Sequence, residues 1–313
     1  METQVLDQGA APQRREKVRF SLWDQIMKVS DLGIVMWSVL TYIFLYLPIV
    51  VLILFSFTKD PLGLTFRPWS LNPYRVLFKD KEIIDLGPVL HGHLPTGTFP
   101  VSMYVAVLST IGALVIGIAG SFALERFRFK TRTLWDGLNY TKMIVAEVVA
   151  GVSTLLFFVL VAENVLKYTG YDMWWLRPGF WAVVIAHVAW AIPFVVVIIR
   201  ARLKGFDRAI EEAGADLGAR PSIVFIKVTF PAIAPGVLAA FLLSFTLSFD
   251  DFVTTFFLAG PSTGSQTLPL MIYSMIKRNV GPEINAISTF MMAFSMAIII
   301  FLELKARISE DIA

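Results

Sequence analysis

Six long runs of uncharged, mainly apolar residues restrict the fold of this chain more than any other feature. The runs cover residues 34–58, 101–124, 148–162, 180–199, 228–249 and 284–302. A helix needs about 20 mainly apolar residues to cross a bilayer, where its backbone amides must bond to each other. Only 16% of the 313 residues are charged, against roughly a quarter in soluble domains. The sequence therefore predicts an all-α membrane protein with six transmembrane helices.

The lysines and arginines predict how these helices are oriented. If both termini are cytoplasmic, 18 of the 27 Lys and Arg residues fall in the segments on the cytoplasmic side. Positive residues close to membrane spans favour that side. We therefore expect both termini in the cytoplasm. The net charge of +3 then reflects topology, and no nucleic-acid partner is needed to explain it.

The predicted organisation is one helical membrane domain with two short tails. We expect a cytoplasmic tail with an amphipathic elbow helix over residues 1–30, a six-helix domain over residues 31–305 and a cytoplasmic tail over residues 306–313. Residues 59–100 form a long extracytoplasmic loop rich in proline, and residues 201–231 form a cytoplasmic loop. No cleavable signal peptide is expected, because about thirty polar and mixed residues precede the first apolar run.

Chemistry based on metals, thiols or bound nucleotide is not expected. The chain has no cysteine, which excludes disulfides and thiolate metal sites. His91 and His93 are two histidines in the long proline-rich loop, where we expect them to be solvated and without a metal. No Gly-Lys-Ser/Thr phosphate-binding sequence occurs. We therefore expect no cofactor and no enzymatic activity, with any ATP hydrolysed by another subunit.

The cytoplasmic loop has the pattern of a helix, a sharp turn and a second helix. Apolar residues at helical spacing are Phe206, Ala209, Ile210, Ala213 and Leu217. Gly218 follows the last of them and suits a left-handed helix cap, and Pro221 favours a new helix start. The loop then enters the fifth apolar run through Phe230 and Pro231. A force on the first helix would therefore reach the membrane span.

This loop resembles the EAA loop of ATP-binding-cassette (ABC) importer permeases. Its spacing is Glu212-Ala213-Gly214, three residues, Gly218, nine residues, Val228, one residue and Phe230-Pro231. Relative to the family pattern, Gly214 replaces the second alanine, Val228 the usual isoleucine and Phe230 the leucine. The resemblance implies a type I ABC importer permease fold with a cytoplasmic coupling helix. It also implies that Glu212, Ala213, Gly214, Gly218, Phe230 and Pro231 couple the chain to an ATPase.

A wider resemblance covers about residues 35 to 305. Residues 193–207, 243–261 and 268–286 are similar to the spermidine/putrescine permeases, more specifically to the second of their two permease subunits. This implies a permease of the bacterial inner membrane that works by alternating access. Its partners would be a homologous permease, two copies of a cytoplasmic ABC ATPase and an extracytoplasmic substrate-binding protein. Another small organic solute is the alternative, because relatives with other substrates carry similar loops.

Acidic residues at membrane depth are candidates for the substrate path. Asp250 and Asp251 follow 22 uncharged residues, and an aspartate at a helix centre costs about 2.5–3.5 kcal/mol. They are expected either to line the path and hold an ammonium group of a polycation, or to cap a broken helix or pair at an interface. Glu147 is a further path candidate, with an ion pair to Lys142 as its alternative.

The fourth apolar run carries one more candidate for the substrate path and one histidine that we expect to be structural. Trp190 is the candidate, and it lies three positions after His187. We expect His187 to be a hydrogen-bonded contact between helices and not a ligand.

Two functions from other classes compete with the importer interpretation. A proton-coupled secondary transporter would use Glu147, Asp250 or Asp251 as its proton site, but it would have no need of a coupling loop. A membrane anchor that docks an ATPase for signalling would need the loop, but it would have no need of acidic residues at membrane depth.

Overall fold

The computed structural model describes residues 22–58, 69–79, 83, 97–261, 263–278 and 281–312. Six helices in these ranges are long and apolar enough to cross a membrane. They are Gly33–Phe55, Thr98–Arg126, Glu147–Thr169, Phe180–Lys204, Pro221–Phe249 and Pro282–Leu304. Each contains or closely matches one of the six apolar runs. The prediction of an all-α protein with six transmembrane helices is therefore confirmed.

The helices are numbered here in chain order. The first six are α1 (Leu22–Phe55), α2 (Asn72–Lys79), α3 (Thr98–Arg126), α4 (Arg132–Ile144), α5 (Glu147–Thr169) and α6 (Phe180–Lys204). The next six are α7 (Arg208–Asp216), α8 (Pro221–Val224), α9 (Phe230–Phe249), α10 (Val253–Leu258), α11 (Leu268–Arg278) and α12 (Pro282–Ile312). Short 3-10 turns occur at Trp174–Leu176 and Thr263–Ser265, and a π-helical segment covers Phe225–Thr229.

The chain forms two compact units, residues 1–52 and residues 53–313. In the first unit, residues 22–30 of the expected elbow region belong to α1, which runs without a break from Leu22 into the first span. In the second unit, the expected C-terminal tail continues α12 as far as Ile312. His91 and His93 lie outside the described residues, as does most of the long proline-rich loop.

Two non-helical residues separate the third span from the helix before it. Helix α4 ends at Ile144, Val145 and Ala146 are extended, and α5 starts at Glu147. Lys142 therefore lies on a separate helix and does not interrupt the span. The apolar run starts at residue 148 because Glu147, the first residue of the helix, is charged.

Helices α3, α6 and α9 form the centre of the second unit. The first apolar cluster joins α3, α5, α6 and α10 through residues that include Val105, Phe158, Val183 and Leu258. The second joins α2, α3, α9, α11 and α12 through Leu77, Ala106, Phe249, Leu268 and Ile287. The third lies between α3, α6 and α9 and includes Ala113, Val195, Ile199 and Ile233. Helix α3 contributes to all three clusters and is therefore the helix on which the others pack.

Small residues allow α3 and α6 to approach closely. A Cβ atom on Gly117 would lie 2.6 Å from Cγ1 of Val195, closer than real Cβ contacts. Close backbone approach at small residues is the usual way in which membrane helices associate, because lipid supplies little hydrophobic driving force between them.

A buried arginine ties together the ends of three helices. Arg200 of α6 is 8% exposed. Its Nε donates to Oε2 of Glu125 on α3 at 3.2 Å, and its two Nη atoms donate to the carboxylate of Asp136 on α4. In the sequence, Arg200 contributes only to the charge asymmetry that predicts orientation. In the structure it fixes α3, α4 and α6 relative to each other. This contact lies near the loop over residues 201–231 that contains α7, which we call the α7 loop.

Candidate functional site

The loop between α6 and α9 has the local structure that its sequence predicts. Asp207 caps α7, and its Oδ1 accepts from the backbone N of Ala209 at 2.9 Å. Gly218 follows α7 with φ of 79°, and the backbone N of Ala219 donates to the oxygen of Gly214 at 3.2 Å. This is the hydrogen-bond pattern of a left-handed helix stop. Pro221 then begins α8.

The apolar stripe of α7 is exposed. Leu217 is 89% exposed and Ile210 52%, and Ala213 and Glu212 are exposed as well. At the start of the loop, Phe206 is half-buried, and Cζ of Arg126 lies 6.0 Å from the centroid of its ring. Helix α7 thus presents apolar side chains and a carboxylate on a solvent-accessible surface. We call Ile210, Ala213 and Leu217 the α7 face. Glu212 lies about 100° or more away around the helix and lines a cleft of about 510 Å³ together with Arg126 and Phe225.

Glu211, next to Glu212, has a different environment. Its Oε1 accepts from Nη2 of Arg126 at the end of α3, at 3.0 Å, and from Oγ1 of Thr229 at 2.6 Å. Sequence reasoning missed this contact, because Arg126 is 85 residues away and nothing in the loop pattern separates Glu211 from Glu212. The contact braces α7 against α3 and against the start of the fifth span.

The fifth span begins earlier than the sequence indicated. Helix α8, the π-helical segment and α9 are continuous from Pro221 to Phe249, so the entry point expected at Phe230 and Pro231 lies inside the span helix. The backbone N of Phe230 donates to the oxygen of Phe225, five residues earlier. Pro231 has no N–H to donate, and a widened turn is one way for a helix to accommodate this.

Asp251 is enclosed by hydrogen-bond donors. Its side chain is 6% exposed, and its Oδ2 lies 3.2 Å from Nε2 of His187, which is 2% exposed. The same oxygen accepts from the backbone N of Thr255 at 2.9 Å, and Oδ1 lies 3.4 Å from the backbone N of Thr254. Asp251 therefore caps α10 across the helix break. These hydrogen bonds are those of a residue that caps a broken helix, and a contact of Asp251 with solute stays a prediction.

His187 connects Asp251 to two further helices through a cluster of buried hydrogen-bonded side chains. Its Nδ1 lies 2.7 Å from Oγ of Ser248 on α9, and Ser248 Oγ lies 2.9 Å from Oγ of Ser109 on α3. The expectation that His187 is a hydrogen-bonded contact between helices is confirmed. All members of the cluster are buried or nearly so, and it links α3, α6, α9 and α10.

Asp250 points to a different place. It is exposed and lines a cleft of about 480 Å³ formed by the end of α9, α11 and α12. The other lining residues are Thr246, Ile272, Ser288, Met291, Met292, Ser295, Met296 and Ile299. Within the described residues, Asp250 makes no side-chain hydrogen bond or ion pair. Neighbouring aspartates thus have opposite surroundings.

The other two path candidates do not line this cleft. Glu147 is exposed in the first turn of α5, and among the described residues no ion pair joins it to Lys142, so that alternative is not found. Burial lowers the pKa of Lys142. Trp190 is half-buried and packs on Phe194, with ring centroids 5.4 Å apart.

Comparison with known proteins places the chain in a family. The model of the binding-protein-dependent transport system inner membrane component matches residues 34–310. This chain belongs to that family. It is an ABC importer permease and a multi-pass protein of the inner membrane.

Curated relatives specify the subgroup. The permease is 34% identical over 266 residues to the spermidine/putrescine transport system permease protein PotC of Haemophilus influenzae, covering 85% of this chain and 93% of PotC. It is 32% identical over 254 residues to the putrescine transport system permease protein PotI of Escherichia coli, covering 81% and 83%. These relatives are transport permeases and not enzymes. The resemblance to the spermidine/putrescine permeases is confirmed.

Solved structures agree on the fold. A bacterial ABC transporter involved in the import of the acidic polysaccharide alginate matches with a TM-score of 0.70 at 16% identity, covering 91% of this chain and 98% of that one. A second alginate transporter structure, in complex with an alginate pentasaccharide-bound periplasmic protein, matches with a TM-score of 0.65 at 15% identity, covering 91% and 95%. At this identity the likeness concerns the fold alone, which is that of an ABC importer permease.

Proposed function

We propose that this permease is one of the two membrane subunits of an ATP-driven, binding-protein-dependent importer of polyamines. The observation that carries the proposal is the exposed α7 face, which is held by an internally braced loop at the start of a membrane span. An apolar face left uncovered in the monomer is the kind of surface that a protein partner covers. In this proposal the partner is a cytoplasmic ABC ATPase.

The loop is built to transmit movement. When the ATPase subunits close on ATP, they would carry α7 with them, and Glu212 would contact the ATPase surface. Gly218 permits the sharp turn after α7, and the continuous helix from Pro221 to Phe249 carries the movement into the fifth span. The contact of Glu211 with Arg126 carries it into α3. The central helices would then tilt between inward-open and outward-open states, which is alternating access.

The proposed assembly contains this chain, a homologous and different permease, two ATPase copies and an extracytoplasmic binding protein. The names of PotC and PotI and the binding protein present in the alginate transporter structure support it. Both termini and the α7 loop would lie in the cytoplasm, as the distribution of Lys and Arg predicts. The long loop over residues 59–100 would then lie on the side of the binding protein.

Polyamines are proposed as the solute on two grounds. The relatives named above are spermidine/putrescine and putrescine permeases, and Asp250, a carboxylate without a partner among the described residues, faces a cleft directly after the fifth span. Another small organic solute carried by the same mechanism is the alternative. A proton-coupled transporter is disfavoured, because it would have no need of the α7 loop; of its three candidate sites, only Asp251 is already bonded in the described part of the chain, to His187 and the α10 backbone.

Substitution of Gly218 tests the coupling proposal. At φ of 79° a β-branched side chain is strained, although a Cβ atom there would have nothing within 4 Å. Gly218→Val should therefore distort the turn without a steric clash. We expect the complex to assemble and hydrolyse ATP while uptake falls about tenfold. Gly218→Asn is the matched control, since asparagine tolerates this conformation better, and it should retain most of the uptake.

Two results would contradict the coupling proposal. One is equal and undiminished uptake by both variants at normal expression. The other is uptake driven by a proton gradient in vesicles that contain this chain alone and no ATP, which would instead establish a secondary transporter.

A further inference from the structure

We propose that the Asp250 cleft is a binding subsite for one primary ammonium group and the alkyl chain attached to it, and that Asp251 is not part of this subsite but positions it. The inference rests on the proposed polyamine function and specifies where in this chain an amine would be held. It divides the tandem aspartates into a ligand-binding residue and a positioning residue.

The cleft offers acceptors that suit an ammonium group. A primary ammonium has three N–H donors and no acceptor. The carboxylate of Asp250 is open to the cleft, and the hydroxyls of Thr246, Ser288 and Ser295 also line it. Oγ of Ser295 is buried and has no hydrogen-bond partner within the described chain. A rotation of the Ser295 side chain would be needed to present this oxygen to a ligand in the cleft. No cation of the described chain neutralises Asp250.

The rest of the cleft suits methylene groups. Met291 and Met296 are among the lining residues, and methionine side chains are apolar, flexible and polarisable. A carboxylate at one end of an apolar, methionine-lined cleft matches an amine carried on an aliphatic chain. It would not suit a sugar, whose hydroxyls need partners along their whole length.

Asp251 and its partners keep Asp250 facing the cleft. Asp250 and Asp251 lie in the break between α9 and α10. Asp251 fixes this break, since it binds both His187 of α6 and the backbone of α10. Because the two residues are adjacent, fixing Asp251 also restricts the direction of Asp250, which lines the cleft. The pairing therefore acts on the ligand through Asp250.

The absence of cysteine from this chain makes a direct test possible. Ser288→Cys and Ser295→Cys, made separately in the assembled complex, each place a single thiol in this subunit. The rate of its modification by the cationic thiol reagent MTSET, relative to the neutral reagent methyl methanethiosulfonate, reports the local attraction for cations. The modification is followed by the mass of this subunit. Using the ratio removes differences in thiol accessibility.

We expect Asp250→Asn to lower this rate ratio about three- to tenfold, the range for a unit charge a few ångströms away under partial screening. Spermidine should slow MTSET labelling only when Asp250 is present. Glu163→Gln is the matched control, because it removes an exposed carboxylate from α5, and it should leave the ratio unchanged. An unchanged ratio after Asp250→Asn, or equal spermidine protection with and without Asp250, would overturn the subsite.

The positioning role of Asp251 has its own readout. Asp251→Asn should reduce the ratio partly, and Asp250→Glu should preserve it, because glutamate keeps the charge in the cleft. Full retention of the labelling-rate ratio after Asp251→Asn would show that Asp251 does not position Asp250.

Failure of the subsite is distinguishable from failure of the proposed function. If the wild-type complex with its binding protein shows no ATPase response to spermidine while the labelling ratio still depends on Asp250, the cation subsite stands and polyamine import does not. If spermidine stimulates the ATPase and the ratio ignores Asp250, the importer stands and the subsite is wrong.

Discussion

Asp250 and Asp251 are neighbours in the break between α9 and α10, yet their surroundings differ. Asp251 is 6% exposed and is bonded to His187 and to the amide of Thr255, whereas Asp250 is exposed in a cleft. Removal of either charge should therefore affect different properties. Loss of Asp251 should be felt in stability, and loss of Asp250 in the handling of cations.

This difference predicts opposite effects on unfolding. Asp251→Asn removes a buried charge-assisted bond to His187 and should destabilise the fold by about 1–3 kcal/mol. Asp250→Asn should change stability by no more than about 0.5 kcal/mol, as is usual for exposed sites. The measurement is the thermal unfolding midpoint of the two purified complexes in the same detergent. Equal midpoints, or a lower midpoint for Asp250→Asn, would contradict the assignment.

The sequence identifies the acidic candidate residues, but it does not show which contacts each of them makes. A charge at membrane depth is visible in the sequence, so Asp250 and Asp251 could be selected from composition alone. Asp251, and not Asp250, is bonded to His187, which lies more than 60 residues earlier in the chain. That contact forms only when α6 and α10 pack together, so the sequence does not show which aspartate is buried. Glu211 was missed for the same reason, since its partner Arg126 is distant in the chain.

At the level of single elements, α7 is connected to the membrane helices in two ways. One is the chain itself, through Gly218 and the helix that starts at Pro221. The other is the contact of Glu211 with Arg126 and Thr229, which reaches α3 directly. Because α3 contributes to all three apolar clusters, a movement of α7 would act on the centre of the second unit as well as on the fifth span.

A charge swap tests this second connection. The pair is partly buried, with side-chain exposures of 12% and 24%, and we assign it about 1 kcal/mol, a factor of about five in an equilibrium. Arg126→Glu should repel Glu211 and raise the ATP hydrolysed per solute imported about three- to fivefold. Adding Glu211→Arg should restore most of the coupling. The measurement is parallel ATPase and uptake in proteoliposomes.

Arg128→Glu is the matched control for the swap. It makes the same charge change two residues further on, at an exposed position, and should leave the ratio near the wild-type value. An unaltered ratio in Arg126→Glu, or a double variant no better than the single one, would show that the contact does not transmit force.

Helix boundaries were predictable where hydrophobicity decides them and not where the backbone does. The six spans follow from apolar length, and the α7 turn follows from Gly218 and Pro221, whose backbone preferences are local. The π-helical segment at Phe225–Thr229 and the joining of residues 22–30 to α1 could not be predicted. Both depend on whether a helix continues through a polar or proline-containing stretch, and packing decides that.

On the scale of the whole molecule, the features that we interpret functionally all lie in the second unit. It has a central group of three helices, a cleft with an acidic residue, and an exposed apolar face on α7. In the proposed function these features would meet a second permease, a solute and an ATPase. The family match over residues 34–310 spans all of them, which is why the proposed function belongs to the assembly and not to this chain alone.

The central claim is that this permease couples ATP hydrolysis to polyamine import. Its most direct test is the ATPase activity of the complex that co-purifies with this chain, reconstituted in lipid with its binding protein and titrated with putrescine, spermidine, sugars, amino acids and phosphonates. The account predicts stimulation by the polyamines alone. Stimulation by another solute and not by polyamines would contradict it.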